Sequence, residues 1–287
     1  MAGAWAWQAH LLLIFQTAAS PAADRVAVGL SWLGNYDTYV YLICVVLIAG
    51  GSENATDLAI LVLLGMVSAD FLKLFVASQR PFEVLPLRAL YRESAAGSAF
   101  PSGHAEVSAA CYLWLADRLR KRVGRWSGAL LAAPVGIGLS RLYLGVHWPI
   151  DVLAGWVIGT LLFLFTVRYP EFISGQSQSV SIFHVSSRFW WIVLAFAAGS
   201  CQLGADTVAF FQFTIGLSVA AWIGPRIARA RSSRVLLLRF AVAAAVLSAV
   251  DAMVNRLGLQ SHAGMWMAIA SGCAVLLVGL LFAAADL

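Results

Sequence analysis

Charged side chains are scarce in this chain of 287 residues, where aspartate, glutamate, lysine and arginine together make up 11%. Soluble domains carry about 25% charged and about 45–50% apolar residues. Here 61% of the residues are hydrophobic and the mean hydropathy is +0.83. Because a water-soluble fold of this composition would have too little polar surface to cover its core, an ordinary soluble domain is excluded. The composition predicts a helical protein that crosses the membrane several times.

Cysteine is sparse as well, with four residues in the whole chain. They are far apart, each lies inside an apolar run, and no two have the spacing of metal ligands. We interpret them as small core residues. They are Cys44, Cys111, Cys201 and Cys273.

Basic residues outnumber acidic ones and give a net charge of +5. They form short clusters between apolar segments, which is typical of membrane topology, so we expect no nucleic-acid partner. One side of the predicted spans holds the loops 118–125 and 226–234 together with Arg168 and Arg188. This side carries 11 basic residues in its loops against seven on the other side. The positive-inside rule therefore makes it the cytoplasmic side.

Apolar runs predict nine membrane spans, which place the amino terminus outside and the carboxyl terminus inside. Their approximate bounds are 36–51, 57–77, 102–117, 127–144, 150–168, 188–205, 207–224, 235–251 and 263–284.

The segment 1–35 precedes these spans. Its apolar run 5–19 is shorter than the roughly 20 residues that a span needs, so we expect an interfacial helix there. A cleaved signal peptide is the alternative, but no positive residue precedes the apolar run. If 5–19 did span the membrane, only the amino terminus would change side.

Three polar clusters fall at the predicted outer face, where charge at membrane depth is costly and is usually functional. The first is Lys73-x6-Arg80-Pro81, at the outer end of the second span. Its two cations lie near one helical face, two turns apart, and Pro81 helps to end that helix. A snorkelling lysine beside an interfacial arginine is the structural alternative.

The second cluster, Pro101-Ser102-Gly103-His104, opens the third span. A helix entrance presents unpaired backbone N–H groups and the positive end of the helix dipole, and both favour an anion. Ser102 adds a hydroxyl and His104 a titratable imidazole. The alternative is an N-cap serine followed by a packed histidine.

The third cluster, Ser140-Arg141-x5-His147-x3-Asp151, joins the fourth and fifth spans. If Pro149 starts the fifth helix, Asp151 lies in its first turn, within reach of the His147 imidazole. A carboxylate partner would fix the tautomer of the ring and raise the nucleophilicity of its other nitrogen. A structural His–Asp pair that supports the loop is the alternative.

Together the clusters supply three cations, an anion-binding helix entrance, two histidines and a carboxylate on one predicted face. This set suits phosphoryl transfer, in which cations neutralise the phosphoryl oxygens, one histidine attacks and the other protonates the leaving oxygen.

The three strings, in this order, resemble the signature of the type 2 phosphatidic acid phosphatase (PAP2) superfamily, and the resemblance covers about 36–168. It implies an all-α fold, a polytopic membrane helical bundle with a PAP2-like catalytic core. Residues 169–287 would then add further C-terminal transmembrane helices. The nine-span layout is similar to that of glucose-6-phosphatase and sphingosine-1-phosphate phosphatase.

The resemblance also implies roles for single residues. His147 would be the nucleophile that forms a phosphohistidine, Asp151 would orient it, and His104 would be the general acid. The implied ligands of the phosphate are Lys73, Arg80, Ser102, Gly103 and Arg141. No metal and no cofactor is implied, and we find no carboxylate cluster suited to Mg²⁺.

Other residues near the clusters receive simpler interpretations. Asp70, three residues before Lys73, can meet it on the helix surface, where it either steers the lysine or caps its charge. Glu106 points away from His104 and is assigned no catalytic part. The outer loop 82–100 is a lid or a contact for the head group.

We therefore expect a metal-independent phosphatase of a lipid phosphate or diphosphate, a multi-pass protein of a bacterial inner membrane with its site facing the exterior. Undecaprenyl diphosphate, phosphatidate, phosphatidylglycerol phosphate and sphingoid phosphates all stay open as substrates, and so does the oligomeric state. The alternatives are a sugar phosphate hydrolase, a lipid-diphosphate phosphotransferase, and a transporter or scaffold without turnover. The intact His104, His147 and Asp151 argue against the last.

Overall fold

A computed structural model of the protein describes residues 2–95 and 97–168, together with Thr207 and Thr214. Every regular element in this part of the chain is helical, which confirms the predicted all-α fold there. Apart from those two threonines, the C-terminal helices predicted for 169–287 lie outside the described residues.

The chain divides into two compact units. One consists of Met1–Thr38 and Leu64–Arg168, and the other of Tyr39–Leu63 and Tyr169–Leu287. All residues predicted for the site belong to the first unit.

The described residues form eight α-helices and two 3-10 helices. The α-helices are α1 (Ala2–Thr17), α2 (Pro21–Trp32), α3 (Tyr36–Gly50), α4 (Ser52–Val76), α5 (Pro81–Val84), α6 (Gly103–Val123), α7 (Ala132–Tyr143) and α8 (Pro149–Arg168). The 3-10 helices are Arg92–Ser94 and Gly124–Leu131.

Helices α3, α4, α6 and α8 correspond to four of the predicted spans. Two helical stretches of the described part, Asn54–Val84 and Pro149–Arg168, are long and apolar enough to cross a membrane. The nine-span layout is thus not confirmed. Helix α6 continues past its predicted end because arginine, lysine and leucine favour helices, and it stops where Gly124 adopts a φ of +58°.

The span predicted at 127–144 is not one continuous helix. It consists of the end of the 3-10 helix Gly124–Leu131 followed by α7, which has 12 residues. Pro134 explains the break, because proline lacks a backbone N–H and its ring clashes with the preceding turn of an α-helix. A proline is tolerated in the first turn, and α7 starts only two residues before Pro134.

The N-terminal segment contains two helices where the sequence predicted one. Helix α1 corresponds to the predicted interfacial helix 5–19, whose position in a membrane stays a prediction. The additional helix α2 begins after Ser20, whose Oγ accepts a hydrogen bond from the N–H of Ala23 at 3.2 Å. Pro21 occupies its first position. Serine before proline is a typical helix start, so the signal was present in the sequence.

Helix α8 packs against α6 with almost no space between the two backbones. A Cβ atom on Gly155 would lie 2.6 Å from the carbonyl oxygen of Ser102, and one on Gly159 would overlap the carbonyl oxygen of Glu106. Glycines four residues apart lie on one helix face and allow such an approach. At the same crossing the N–H of Ser102 donates to the carbonyl of Asp151 at 3.0 Å. The crossing therefore fixes the first turn of α6 against the first turn of α8.

Helix α4 contacts α6 near the first turn of α6. The Ser68 hydroxyl donates to Oε1 of Glu106. One turn earlier, a Cβ atom on Gly65 would lie 3.2 Å from the Val107 side chain. Glu106 thus faces α4, and the interpretation that it has no catalytic part stays a prediction.

A polar clamp holds the loop that follows α5. Arg88 donates to both carboxylate oxygens of Asp24, at 2.7 and 2.8 Å, and the Tyr143 hydroxyl donates to the same carboxylate at 2.7 Å. The Gln16 side chain bonds both the N–H and the carbonyl of Arg88. The loop is therefore fixed to α1, α2 and α7.

We expect Gly159→Ala to destabilise the protein by about 1–3 kcal/mol, because the added methyl group overlaps the α6 backbone. The measurement is the melting temperature in detergent. Gly29→Ala is the matched control, since Gly29 is also helical but has no atom within 4 Å of the added Cβ. Equal melting temperatures for the two variants would show that the close crossing is not required.

The Asp24–Arg88 pair makes stability depend on pH. The hydrogen bonds from Arg88, and then from Tyr143, lower the pKa of Asp24 below its ordinary value. The stabilisation is complete above the unfolded pKa of about 3.9 and is lost as the pH falls through the lower folded pKa. Asp24→Asn should therefore lower the melting temperature at neutral pH, and the difference from the unmodified protein should shrink in acid. A difference independent of pH would contradict this.

Candidate active site

The loop between α7 and α8 presents His147 to the site. Gly145, with a φ of +71°, turns the chain, and Trp148 anchors it through an indole N–H bond to the carbonyl of Gln79 at 2.9 Å. Pro149 starts α8, as expected from the sequence, so Asp151 lies in the first turn of that helix. Nδ1 of His147 is 3.5 Å from Oδ2 of Asp151. This distance is slightly longer than a good hydrogen bond, so a small rotation of the ring would close it.

The carboxylate of Asp151 is itself held in place. Its Oδ2 accepts the backbone N–H of Trp148 at 2.8 Å. Among the described residues the buried Nδ1 of His147 has no hydrogen-bond partner, and Asp151 is the carboxylate beside it. A closer approach would let Asp151 accept the Nδ1 proton and leave Nε2 as the unprotonated nitrogen.

Arg80 faces that free nitrogen. Its Nη1 is 3.3 Å from Nε2 of His147 and donates to the carbonyl of Val146 at 2.8 Å. The Nε of Arg80 donates to the carbonyl of Gly97 at 3.0 Å, and its Nη2 donates to the carbonyl of Ser98 at 3.2 Å. The guanidinium is therefore locked beside the imidazole, where it can hold an anion against Nε2.

Arg141, from the last turn of α7, is fully buried. Its Nη1 donates to the hydroxyls of Ser31 at 2.5 Å and Ser94 at 2.9 Å, and its Nη2 donates to the Ser94 carbonyl at 3.1 Å. Its Nε is buried and has no hydrogen-bond partner among residues 2–95 and 97–168. A buried donor of this kind is costly unless a ligand satisfies it. The sequence did not reveal Ser31 and Ser94, since they lie far from Arg141 along the chain.

The start of α6 provides a second set of donors. Ser102 occupies the N-cap position but makes no capping bond with its side chain, and its buried hydroxyl has no partner within the described part of the chain. This contradicts the reading of Ser102 as a plain N-cap. A Cβ atom on Gly103 would lie 3.9 Å from Nζ of Lys73, so the ammonium group lies over the helix start. Nζ is also 3.8 Å from Asp70, the pair that the sequence predicted.

His104, in the first turn of α6, forms a hydrogen bond with a residue that lies outside the three motifs. Its Nε2 lies 3.0 Å from Oδ1 of Asn35, whose Nδ2 donates to the Tyr91 hydroxyl at 2.7 Å. Sequence reasoning missed Asn35 and Tyr91. The only signal was the Gly34–Asn35 pair, which reads as a turn and does not reveal what the amide touches.

The electrostatics favour a neutral His147. Burial first, and then the charges of Arg80, Arg141, Lys73 and His104, lower the pKa of His147 well below its ordinary value. The imidazole therefore keeps a lone pair at neutral pH. The structure thus brings all the predicted site residues into one unit, where a neutral nitrogen faces a group of cations and unpartnered donors. Such a site can hold a tetrahedral oxyanion against a nitrogen nucleophile.

The chain also shows similarity to known protein families and proteins. Residues 54–174 match the model of the PAP2 superfamily. The chain is 31% identical over 118 residues to the undecaprenyl-diphosphatase of Sulfolobus acidocaldarius, covering 41% of this chain and 54% of that protein. It is 36% identical over 86 residues to phosphatidylglycerophosphatase B of Bacillus subtilis, covering 28% and 42%. The chain thus spans about half the length of these curated relatives.

Solved structures share the fold. The transmembrane PAP2 type phosphatidylglycerolphosphate phosphatase from Bacillus subtilis aligns with a TM-score of 0.52 at 24% identity, covering 60% of this chain and 88% of that one. Aquifex aeolicus LpxE aligns with a TM-score of 0.51, also at 24% identity, covering 59% and 99%. Residues 54–174 thus match the PAP2 superfamily, and this segment contains all three motifs.

Proposed function

We propose that this protein is an integral membrane phosphatase that hydrolyses a lipid phosphate or lipid diphosphate through a phosphohistidine on His147, without a metal ion. One observation carries the proposal. Nδ1 of His147 faces the Asp151 carboxylate while Nε2 faces the Arg80 guanidinium at 3.3 Å. A neutral imidazole with its proton on Nδ1 is then directed at the place where Arg80 holds an anion.

In the first step, Nε2 of His147 attacks phosphorus and an N–P bond forms. The P–O bond to the leaving group breaks, its electron pair stays on the leaving oxygen, and that oxygen takes a proton from His104. Asp151 stabilises the positive charge that develops on the imidazole. In the second step, water attacks phosphorus, its proton passes to His104, and the N–P electron pair returns to Nε2. Inorganic phosphate leaves and the site is restored.

The remaining residues stabilise the charge of the transferring group. Phosphoryl transfer depends mainly on positioning and on neutralising the equatorial oxygens. Lys73, Arg80 and Arg141 supply three cations, and the unpartnered Ser102 hydroxyl and the N–H of Gly103 complete the cradle. Because these groups supply the positive charge, no metal ion is needed.

The placement of charge on α6 supports an outward-facing site. His104 lies at one end of this helix and the basic residues Arg120, Lys121 and Arg122 at the other. A helix of 21 residues is about 30 Å long, close to the thickness of the hydrocarbon core. The positive-inside rule places the basic end in the cytoplasm. The site is then at the exterior surface of a bacterial inner membrane, where a lipid phosphate enters from the bilayer.

The relatives supply the substrate class. The relative from Sulfolobus acidocaldarius is named as a phosphatase of undecaprenyl diphosphate. The relative from Bacillus subtilis is named as a phosphatase of phosphatidylglycerol phosphate. We therefore expect phosphate release from one of these two lipids in detergent with EDTA present, and little release from glucose 6-phosphate. Loss of activity in EDTA would contradict the metal-free mechanism. Preferential release from the sugar phosphate would contradict the lipid substrate.

We expect His147→Ala to lower phosphate release by about 10³-fold or more, because the first step loses its nucleophile. His10→Ala is the matched control, since His10 is exposed on α1 and should leave the rate unchanged. Both rates are measured on the lipid that the unmodified protein hydrolyses best. If His147→Ala kept the rate of the unmodified protein, His147 would not be the nucleophile.

A further inference from the structure

We infer that Asn35 is a positioning residue for His104, and that Tyr91 in turn holds Asn35. The inference rests on the proposed function, in which His104 is the general acid. Asn35 precedes the segment 54–174 that matches the family model, and none of the three motifs contains it.

The hydrogen bonds run in one direction. The Oδ1 atom of Asn35 can only accept, so Nε2 of His104, 3.0 Å away, carries a proton. The Nδ2 of Asn35 donates onward to the Tyr91 hydroxyl at 2.7 Å. The nitrogen that exchanges a proton with the reacting groups is then Nδ1 of His104. The bond from Nε2 of His104 to Asn35 persists in both protonation states of the imidazole. Nε2 keeps its proton when Nδ1 gives its own proton to the leaving oxygen.

The turn that carries Asn35 is shaped to touch the imidazole. A Cβ atom on Gly34 would lie 2.9 Å from Cδ2 of His104 and 2.9 Å from the Ile137 side chain. No side chain fits there, so only glycine lets the turn come this close. The turn itself is fixed by bonds from the N–H groups of Gly34 and Asn35 to the carbonyls of Ser31 and Trp32, at 2.9 and 3.0 Å.

The partner of Asn35 is held in a strained conformation. Tyr91 has a φ of +59°, in the left-handed region that bulky residues seldom adopt. Such a conformation persists only where the surroundings enforce it. It places the Tyr91 hydroxyl against the Asn35 amide.

The same two segments also hold the buried Arg141. Ser31, on the last turn of α2, and Ser94, three residues after Tyr91, both bond its guanidinium. Segment 31–35, which includes the end of α2 and the turn after it, contacts Arg141 through Ser31 and His104 through Asn35. Segment 91–94 contacts Arg141 through two bonds to Ser94 and supports Asn35 through Tyr91. Contacts from both segments to both sites indicate that together they position His104 and Arg141.

The test compares two leaving groups. Dodecyl phosphate releases an alkoxide that must be protonated, whereas 4-nitrophenyl phosphate releases a phenolate stable without a proton. A general acid contributes about 10²–10⁴-fold to a reaction that needs it. We expect Asn35→Ala to lower kcat about 10- to 100-fold on dodecyl phosphate and less than about threefold on 4-nitrophenyl phosphate. His104→Ala, as the reference, should show the same selective loss more strongly.

Three further variants define the role. Tyr91→Phe should give a selective loss of about three- to tenfold, because it removes only the support of Asn35. Asn35→Asp retains an acceptor for Nε2 of His104 and should restore the dodecyl phosphate rate to within about threefold of the original. Thr38→Val is the matched control. It removes a hydrogen bond to the Trp32 carbonyl at the same turn and should leave the ratio of the two rates unchanged.

The outcomes separate the two proposals. Equal losses on both substrates in Asn35→Ala, or no loss on either, would overturn the positioning role while the unmodified protein stays active. An unmodified protein that hydrolyses neither substrate nor any lipid phosphate would overturn the proposed function, and the role of Asn35 with it.

Discussion

The close crossing of α8 over α6 is the contact on which the site depends. Two glycines of α8 let its backbone reach the carbonyl oxygens of Ser102 and Glu106. This contact brings Asp151, at the start of α8, to the backbone of Ser102, at the start of α6. His147 precedes the start of α8 and Asp151 lies in its first turn, while Ser102 lies at the start of α6. In the proposed mechanism, a shift of either helix along the other would therefore separate His147 from the phosphate.

The second physical constraint is the concentration of positive charge in a buried site. The Arg80 guanidinium donates to three carbonyl oxygens, lies 3.3 Å from the His147 ring and interacts with the charges of Asp151 and Glu83. The Arg141 guanidinium donates to two serine hydroxyls and a carbonyl. These partners fix the orientation of both guanidinium groups in the site. The same cations lower the pKa of His147 and keep its imidazole neutral. In the proposed mechanism, the same cations therefore bind the phosphate and keep His147 in its nucleophilic, neutral form.

Local sequence signals located the His147–Asp151 pair and the start of α6. They did not reveal the more distant residues that hold the site residues in place. The His147–Asp151 pair follows from a spacing of four residues around a proline, and the start of α6 follows from its Pro-Ser-Gly string, because both are local signals. The contacts of Asn35 with His104 and of Ser31 with Arg141 join residues 69 and 110 positions apart, and no periodicity marks such pairs. The predicted span 127–144 consists of a 3-10 segment followed by α7, because Pro134 is disfavoured in the interior of one continuous helix. The roles of the site residues and the three-part division of the chain stay predictions.

The central claim is that phosphate passes through His147, and identifying the phosphorylated residue tests it most directly. The protein would be mixed with a phosphate-labelled lipid substrate, quenched within milliseconds at alkaline pH, digested and mapped by mass spectrometry. We expect an acid-labile phosphate on the peptide that contains His147, and none in His147→Ala. A phosphate on His104 or on a carboxylate would contradict the mechanism, and so would steady turnover of the substrate without any labelled protein.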